Sequence, residues 1–215
     1  MKICIILNGE IQDYKIMKNI ISKQHYDYII CADGGANHAY KMNISPNYIL
    51  GDLDSINKNI ISYYKDKNVI FKKFPSKKNE TDTELCIYLS QQINASQVDF
   101  IGSLGGRIDH MLANIKLLDY LKEVQIYGRI LSEKEDIYIA VDEEMIIDGE
   151  VGDTVSVIPI KGDAKGITLT NLEYPLTNFY MKYSSPIGIS NVMLENQCKV
   201  NVDKGTVLII RNKKN

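Results

Sequence analysis

The sequence predicts an α/β fold with a parallel sheet in its first two thirds and an antiparallel β domain after it. Three observations carry that expectation. Short apolar runs alternate with segments of helical period up to about residue 130. The helical period then disappears. The remainder of the chain is a series of short β-rich segments separated by Gly/Asp turn signals.

The elements are justified in order. Lys2–Leu7 (KICIIL) is an apolar run of the kind a buried strand makes. Tyr14–Ser22 is helical in spacing, with Ile16/Ile20 and Met17/Ile21 at i, i+4. Asp27–Ala32 is a second strand, followed by a helix through His38–Met42, a short strand at Tyr48–Leu50, a helix at Ile56–Lys65 and a strand at Val69–Phe71. Thr83–Ile93 is a helix and Val98–Ile101 a strand. Ile108, Met111, Leu112, Ile115 and Leu118 mark a core-facing helical stripe, and Val124–Tyr127 closes the series as a strand. Beyond it, strands are expected at Ile137–Val141, Thr154–Ile158, Ile167–Thr170, Gly188–Leu194, Lys199–Asp203 and Thr206–Ile210. Asp148-Gly149, Gly152-Asp153, Gly162-Asp163 and Asp203-Lys204-Gly205 are the turns between them.

Composition excludes several roles. Of 215 residues, 25 are Lys or Arg and 27 Asp or Glu, a net charge of −2. A protein that coats a phosphate backbone carries a basic excess, so nucleic acid is not the expected partner. The longest apolar runs, such as Ile3–Leu7, fall far short of the ~20 residues of a membrane span. The first residues show no secretory signal pattern. Cys4, Cys31, Cys86 and Cys198 are far apart and form no CxxC pair, which points to buried thiols and a cytoplasmic location.

Four segments that come after expected strands carry the chemistry, because open α/β sheets bind ligands beyond the carboxyl ends of their strands. Asp33-Gly34-Gly35-Ala36-Asn37 combines two glycines, which let a backbone approach a ligand, with a helix start that suits an anion. A plain helix cap by Asp33 or Asn37 is the alternative. Gly51-Asp52-Leu53-Asp54-Ser55 sets two carboxylates one residue apart, a spacing that can converge on a hard cation such as Mg²⁺, or simply make a turn. In Asn79-Glu80-Thr81-Asp82-Thr83-Glu84, Thr81 and Glu84 have capping-box spacing, and Asp82 would be held rigidly in the first turn. Gly102-Ser103-Leu104-Gly105-Gly106-Arg107-Ile108-Asp109-His110 runs from strand through glycine-rich loop to helix. Arg107 there opposes the macrodipole, which suggests a phosphate or carboxylate partner, or a surface pair with Asp109. No P-loop, GxGxxG, HExxH or GxSxG motif occurs. Acidic loops plus one arginine suit metal-assisted transfer of a phosphate group.

In this order the four segments resemble the thiamine pyrophosphokinase family: DGGAN at 33–37, GDLDS at 51–55, TD at 81–82 and GGRIDH at 105–110, with Gly188-Ile189-Ser190-Asn191 matching further on. The resemblance implies a Rossmann-like α/β domain over 1–130 that binds ATP and a β-sandwich over 131–215 that binds thiamine. It implies a homodimer and transfer of pyrophosphate from ATP to thiamine, with Mg²⁺ as cofactor. It places Asp33, Asp52, Asp54 and Asp82 at the metal and phosphates, with Asp82 as metal ligand or proton acceptor. It gives Gly34, Gly35, Asn37, Gly105, Gly106 and Arg107 to ATP. Arg107 and Asp109 would lie where polyphosphate meets thiamine, and Ser190 and Asn191 would face thiamine beside Asp82 and Asp109. Asn79, preceded by Lys78, departs from an often acidic family position. Another DxD metal-dependent nucleotide or sugar-phosphate transferase, or a silent nucleotide or thiamine sensor, are the competing readings. Tryptophan is absent, so any ring stacked on thiamine would come from the 14 tyrosines or 4 phenylalanines.

Overall fold

The computed structural model describes residues 1–75 and 79–214. Lys78 therefore lies outside the described residues. The chain divides into two compact units, Met1–Glu133 and Lys134–Asn215.

Unit 1 is built on six parallel strands: β1 (Lys2–Ile6), β2 (Tyr28–Ala32), β3 (Tyr48–Gly51), β4 (Ile70–Lys73), β5 (Gln97–Ile101) and β6 (Tyr127–Leu131). Five helices connect or flank them: α1 (Tyr14–Lys23), α2 (Gly35–Lys41), α3 (Lys58–Asp66), α4 (Asp82–Gln92) and α5 (Ile108–Glu123). The strand order is β6–β5–β1–β2–β3–β4. β1 pairs in parallel with both β2 and β5, which makes it central and explains its uninterrupted apolar run: Ile3, Cys4, Ile5 and Ile6 have no exposed surface. α1 turns one of its two expected i, i+4 pairs into the core, while Ile16 of the other pair is 47% exposed. α1 buries Met17 and Ile21, and Asp13 caps it by accepting the Lys15 and Ile16 amides at 2.8 and 3.0 Å. Gly35 lets α2 sit against β1, because a Cβ there would stand 2.0 Å from the Ile6 carbonyl oxygen. All four cysteines are buried free thiols.

Unit 2 is an antiparallel β-sandwich. One sheet has the order β12 (Asn191–Val192), β9 (Thr154–Pro159), β14 (Thr206–Asn212), β7 (Glu135–Val141). The other has β11 (Leu176–Met181), β10 (Ala164–Thr170), β13 (Gln197–Asn201), β8 (Glu144–Asp148). Val155, Val157, Val207 and Ile209 of the first sheet and Ile147, Ile167, Leu169 and Val200 of the second are buried. Among the described residues no helix is long and apolar enough to cross a membrane.

Four sequence expectations need correction. The last strand of unit 1 is Tyr127–Leu131, not Val124–Tyr127, because α5 runs on to Glu123 and Gln125 turns the chain with a positive φ of 60°. β8 and β11 were not expected; β8 buries only Met145 and Ile147 between acidic ends, and β11 buries only Met181, so neither makes an apolar run. The strand at Gly188–Leu194 shrinks to Asn191–Val192, since Gly188 and Ser190 have φ of 96° and 56°. The α5 stripe is core-facing only in its second half. Leu118 is fully buried, whereas Ile108 and Leu112 are 69% and 52% exposed, because α5 meets β6 through its last turns, where Leu121 packs on Gly128.

Candidate active site

Strand order in unit 1 reverses between β1 and β5, and ligands of open α/β sheets bind beyond the carboxyl ends of the strands at such a switch point. A cavity of about 920 Å³ opens there. It is lined by Asp33, Asp52, Asp54, Asp82, Gly105, Gly106, Arg107 and Asp109, eight of the residues expected at the site, drawn from four separate loops.

The acidic side comes from the ends of β2 and β3. Asp33, Asp52 and Asp54 each offer a carboxylate oxygen, all within 4.8 Å of one another. Asp33 is 8% exposed, and its Oδ1 is buried with no hydrogen-bond partner in the protein. Burial pushes its carboxyl above the ordinary carboxylate range; Asp52, Asp82 and Asp54 push the same way, against a hydrogen bond from Ser55. The backbone is strained to bring these groups together. Asp33 and Leu53 have φ of 41° and 70°, left-handed values that cost a non-glycine residue about 1–2 kcal/mol and cluster at functional sites. The Asp54 amide donates to Asp52 Oδ1 at 3.3 Å, and Ser55 Oγ to Asp54 Oδ1 at 3.0 Å. Asn37 does not line the cavity. Its Nδ2 donates to the Ser55 carbonyl at 2.8 Å and its Oδ1 accepts the Asn57 amide at 3.2 Å, so it fastens the acidic loop from behind.

Asp82 is the first residue of α4. The capping box is present: the Thr81 amide donates to Glu84 Oε2 at 2.7 Å and the Glu84 amide to Thr81 Oγ1 at 3.2 Å. The box fixes Asp82 in the first turn of α4, where it lines the cavity. Asn79 is exposed beside it.

The loop from β5 to α5 supplies a further part of the lining. Arg107 pairs with Asp109 through two bonds, Nε to Oδ1 at 3.1 Å and Nη2 to Oδ2 at 2.6 Å, with both side chains largely exposed. This pairing holds the Asp109 carboxyl below the ordinary range. Asn114, in the second turn of α5, donates to the Ser103 carbonyl at 3.2 Å. Gly34 and Gly35 do not line the cavity; a Cβ on Gly34 would meet the Asn8 side chain at 2.4 Å, so these glycines serve close packing of α2.

Sequence reasoning missed Asn8, Gly9 and Glu10, which line the cavity at the end of β1. A glycine close behind the central strand was the available signal. No tyrosine or phenylalanine lines the cavity among the described residues. Ser190 and Asn191 belong to unit 2. The Ser190 amide donates to Ser156 Oγ at 3.0 Å. Asn191 is 5% exposed and its carboxamide grips the Tyr174 backbone from both ends, accepting from the amide at 2.9 Å and donating to the carbonyl at 2.7 Å. Tyr174 itself is 67% exposed.

The donor set fits a hard divalent cation: three converging carboxylates, one with a buried oxygen lacking a partner and a raised pKa that a cation would lower. The glycine loop and Arg107 offer the complementary groups for phosphate oxygens.

Comparison with known proteins identifies the family. The thiamin pyrophosphokinase catalytic-domain family matches residues 20–127, and the thiamin pyrophosphokinase vitamin B1 binding-domain family matches residues 136–207. Thiamine pyrophosphokinase of Bacillus subtilis is 27% identical over 184 residues, covering 85% of this chain and 86% of the relative. Thiamine pyrophosphokinase 1 of Oryza sativa is 26% identical over 206 residues, covering 84% and 77%. The crystal structure of the Bacillus subtilis thiamine pyrophosphokinase superposes with a TM-score of 0.88 at 25% identity over 100% of both chains. That of the yeast thiamin pyrophosphokinase, at 18% identity and a TM-score of 0.84 over 98% and 86%, shares the fold. With its four loops converged on one cavity and both domains matched, this chain belongs to the thiamin pyrophosphokinase family.

Proposed function

We propose that the chain transfers a pyrophosphoryl group from ATP to the hydroxyethyl oxygen of thiamine, giving thiamine diphosphate and AMP. The observation that carries this reading is the convergence of Asp33, Asp52 and Asp54 in the same cavity as the glycine loop and Arg107. A new bond forms between the thiamine oxygen and the β-phosphorus, the bond from that phosphorus to the bridging oxygen breaks, and AMP leaves with that oxygen. The hydroxyl proton must be accepted.

Asp33, Asp52 and Asp54 would hold Mg²⁺, which when bound neutralises charge on the phosphates. Asp82, held by its capping box, serves as a further ligand or as acceptor of the hydroxyl proton. Arg107 supplies a planar guanidinium to the polyphosphate, and Asp109 keeps that guanidinium oriented through both of its oxygens. Gly105 and Gly106 let the backbone approach the nucleotide, and Asn37 holds the acidic loop in register. Holding the hydroxyl in line with the β-phosphorus removes much of the entropic barrier.

Unit 1 is the ATP-binding half of this reading and unit 2 the thiamine-binding half, through the segment of Ser190 and Asn191, where the buried Asn191 carboxamide holds the Tyr174 backbone. The working unit is a homodimer, supported by the exposed Ile108 and Leu112 at the start of α5, which a second copy would cover. The four free buried thiols support a cytoplasmic location. The test is AMP formation from ATP and Mg²⁺ with and without thiamine. AMP and thiamine diphosphate should appear together and only with thiamine; binding of both substrates without AMP release would make the chain a sensor instead.

A further inference from the structure

Glu10 belongs to none of the four motif loops, yet its carboxylate reaches into the glycine loop. The Gly106 amide donates to Glu10 Oε1 at 3.1 Å. Gly105 rests on the same side chain, where an added Cβ would stand 2.8 Å from Glu10 Cβ and Oε2. Gly105 and Gly106 have φ of 76° and 67°, two successive left-handed residues, and the space beside Gly106 is open. Such a pair has the largest conformational freedom a chain can have and little packing to restrain it.

The base from which Glu10 reaches is firm. Its own amide donates to the Leu104 carbonyl at 2.9 Å, and the Gly9 amide to the Gly102 carbonyl at 2.7 Å. The Gly9 carbonyl meets His38 Nε2 at 2.8 Å. The β1 and β5 loops are thereby zipped together at the crevice. A carboxylate accepting a backbone amide makes a charge-assisted bond, stronger than a neutral one.

We propose that Glu10 is a positioning residue for the reaction: by holding the Gly106 amide it fixes the Gly105–Gly106 turn and so places Arg107 and Asp109 at the cavity. This rests on the proposed function for its kinetic readout only. Positioning requires an acceptor oxygen at this place; the charge of the carboxylate strengthens that bond, and a carboxamide oxygen can still make it.

The test compares Glu10→Ala and Glu10→Gln in the full chain, with folding checked by circular dichroism. Glu10→Ala should lower kcat for AMP formation about tenfold, since small misplacements of reacting groups are costly, while KM for thiamine stays within about twofold. Glu10→Gln keeps the acceptor oxygen and should recover most of the rate. Hydrogen exchange at the Gly106 amide should be about tenfold faster in the alanine variant and near wild type in the glutamine variant. Unchanged kcat in Glu10→Ala, equal impairment in both variants, or unchanged Gly106 exchange would each overturn the proposal. Wild-type protein that forms no AMP overturns the proposed function instead, and leaves the exchange comparison to decide the role of Glu10.

Discussion

Removing the Asp99 carboxylate should destabilise unit 1 strongly while sparing the cavity. Asp99 is fully buried in β5 and accepts four hydrogen bonds: Tyr26 Oη at 2.6 Å, Gln97 Nε2 at 2.9 Å, and Arg129 Nε and Nη2 at 2.8 and 2.9 Å. The Arg129 side chain is 17% exposed. Asp99→Ala takes from this guanidinium the carboxylate it holds through two bonds and from two further donors their acceptor. Breaking one partner of a buried pair costs about 3–5 kcal/mol. In a chain of this size each kcal/mol moves Tm by about 2–4 °C, so the loss is on the order of 10 °C. All five helices described lie in unit 1, so ellipticity at 222 nm follows its unfolding separately from the β-sandwich. The double substitution Asp99→Leu with Arg129→Met removes both charges and should recover most of the loss. A drop below about 1 kcal/mol for Asp99→Ala, or a double variant no better than the single, would refute the uncompensated-charge argument. At temperatures where the variant is folded its AMP formation should stay near wild type, because Asp99 does not line the cavity.

Three further outcomes are expected. Asp52→Ala and Asp54→Ala should each lower turnover on the order of 100-fold or more with unchanged circular dichroism; full AMP production at ordinary Mg²⁺ would remove the metal assignment. Thr81→Ala breaks the side-chain half of the capping box, should cost about 1 kcal/mol in thermal melts, and should lower kcat by loosening Asp82; unchanged stability and rate would argue that the box is idle. Burial holds the His38 pKa below its ordinary value of 6.5, with Lys41 lowering it further against the opposing Gly9 carbonyl and Glu133. The unfolded state then binds the proton more readily, so this contribution is complete above pH 6.5 and is lost as pH falls through the lowered folded value. The stability difference between wild type and His38→Gln should therefore shrink from about pH 7.5 to about pH 5; a constant difference would refute it.

Much of this protein was legible because its signals are local. The Thr81–Glu84 spacing specifies its own hydrogen bonds, and the apolar run at Ile3–Ile6 specifies a strand buried on both faces. The motif loops come after strands, and a parallel sheet sends all such loops to one edge. β8 and β11 stayed hidden because half-exposed strands with few apolar residues look like the turns around them. The exposed faces of Ile108 and Leu112 were hidden because periodicity reports which residues share a face, not whether that face meets a partner.

The amino-acid sequence by itself determined the order of strands and helices, the change to an all-β second unit, and the residue types in each loop. Only the tertiary structure decided which of those residues meet. Asp33 and Asp52 converge because β2 and β3 are neighbours, and Glu10 reaches Gly106 because β1 and β5 are, although 96 positions separate them in the chain. Strand order is set by the packing of the whole sheet and leaves no mark in any local window. The same packing turned Asn37 and Gly35 away from the cavity to serve as its supports, a distinction that residue type alone does not carry.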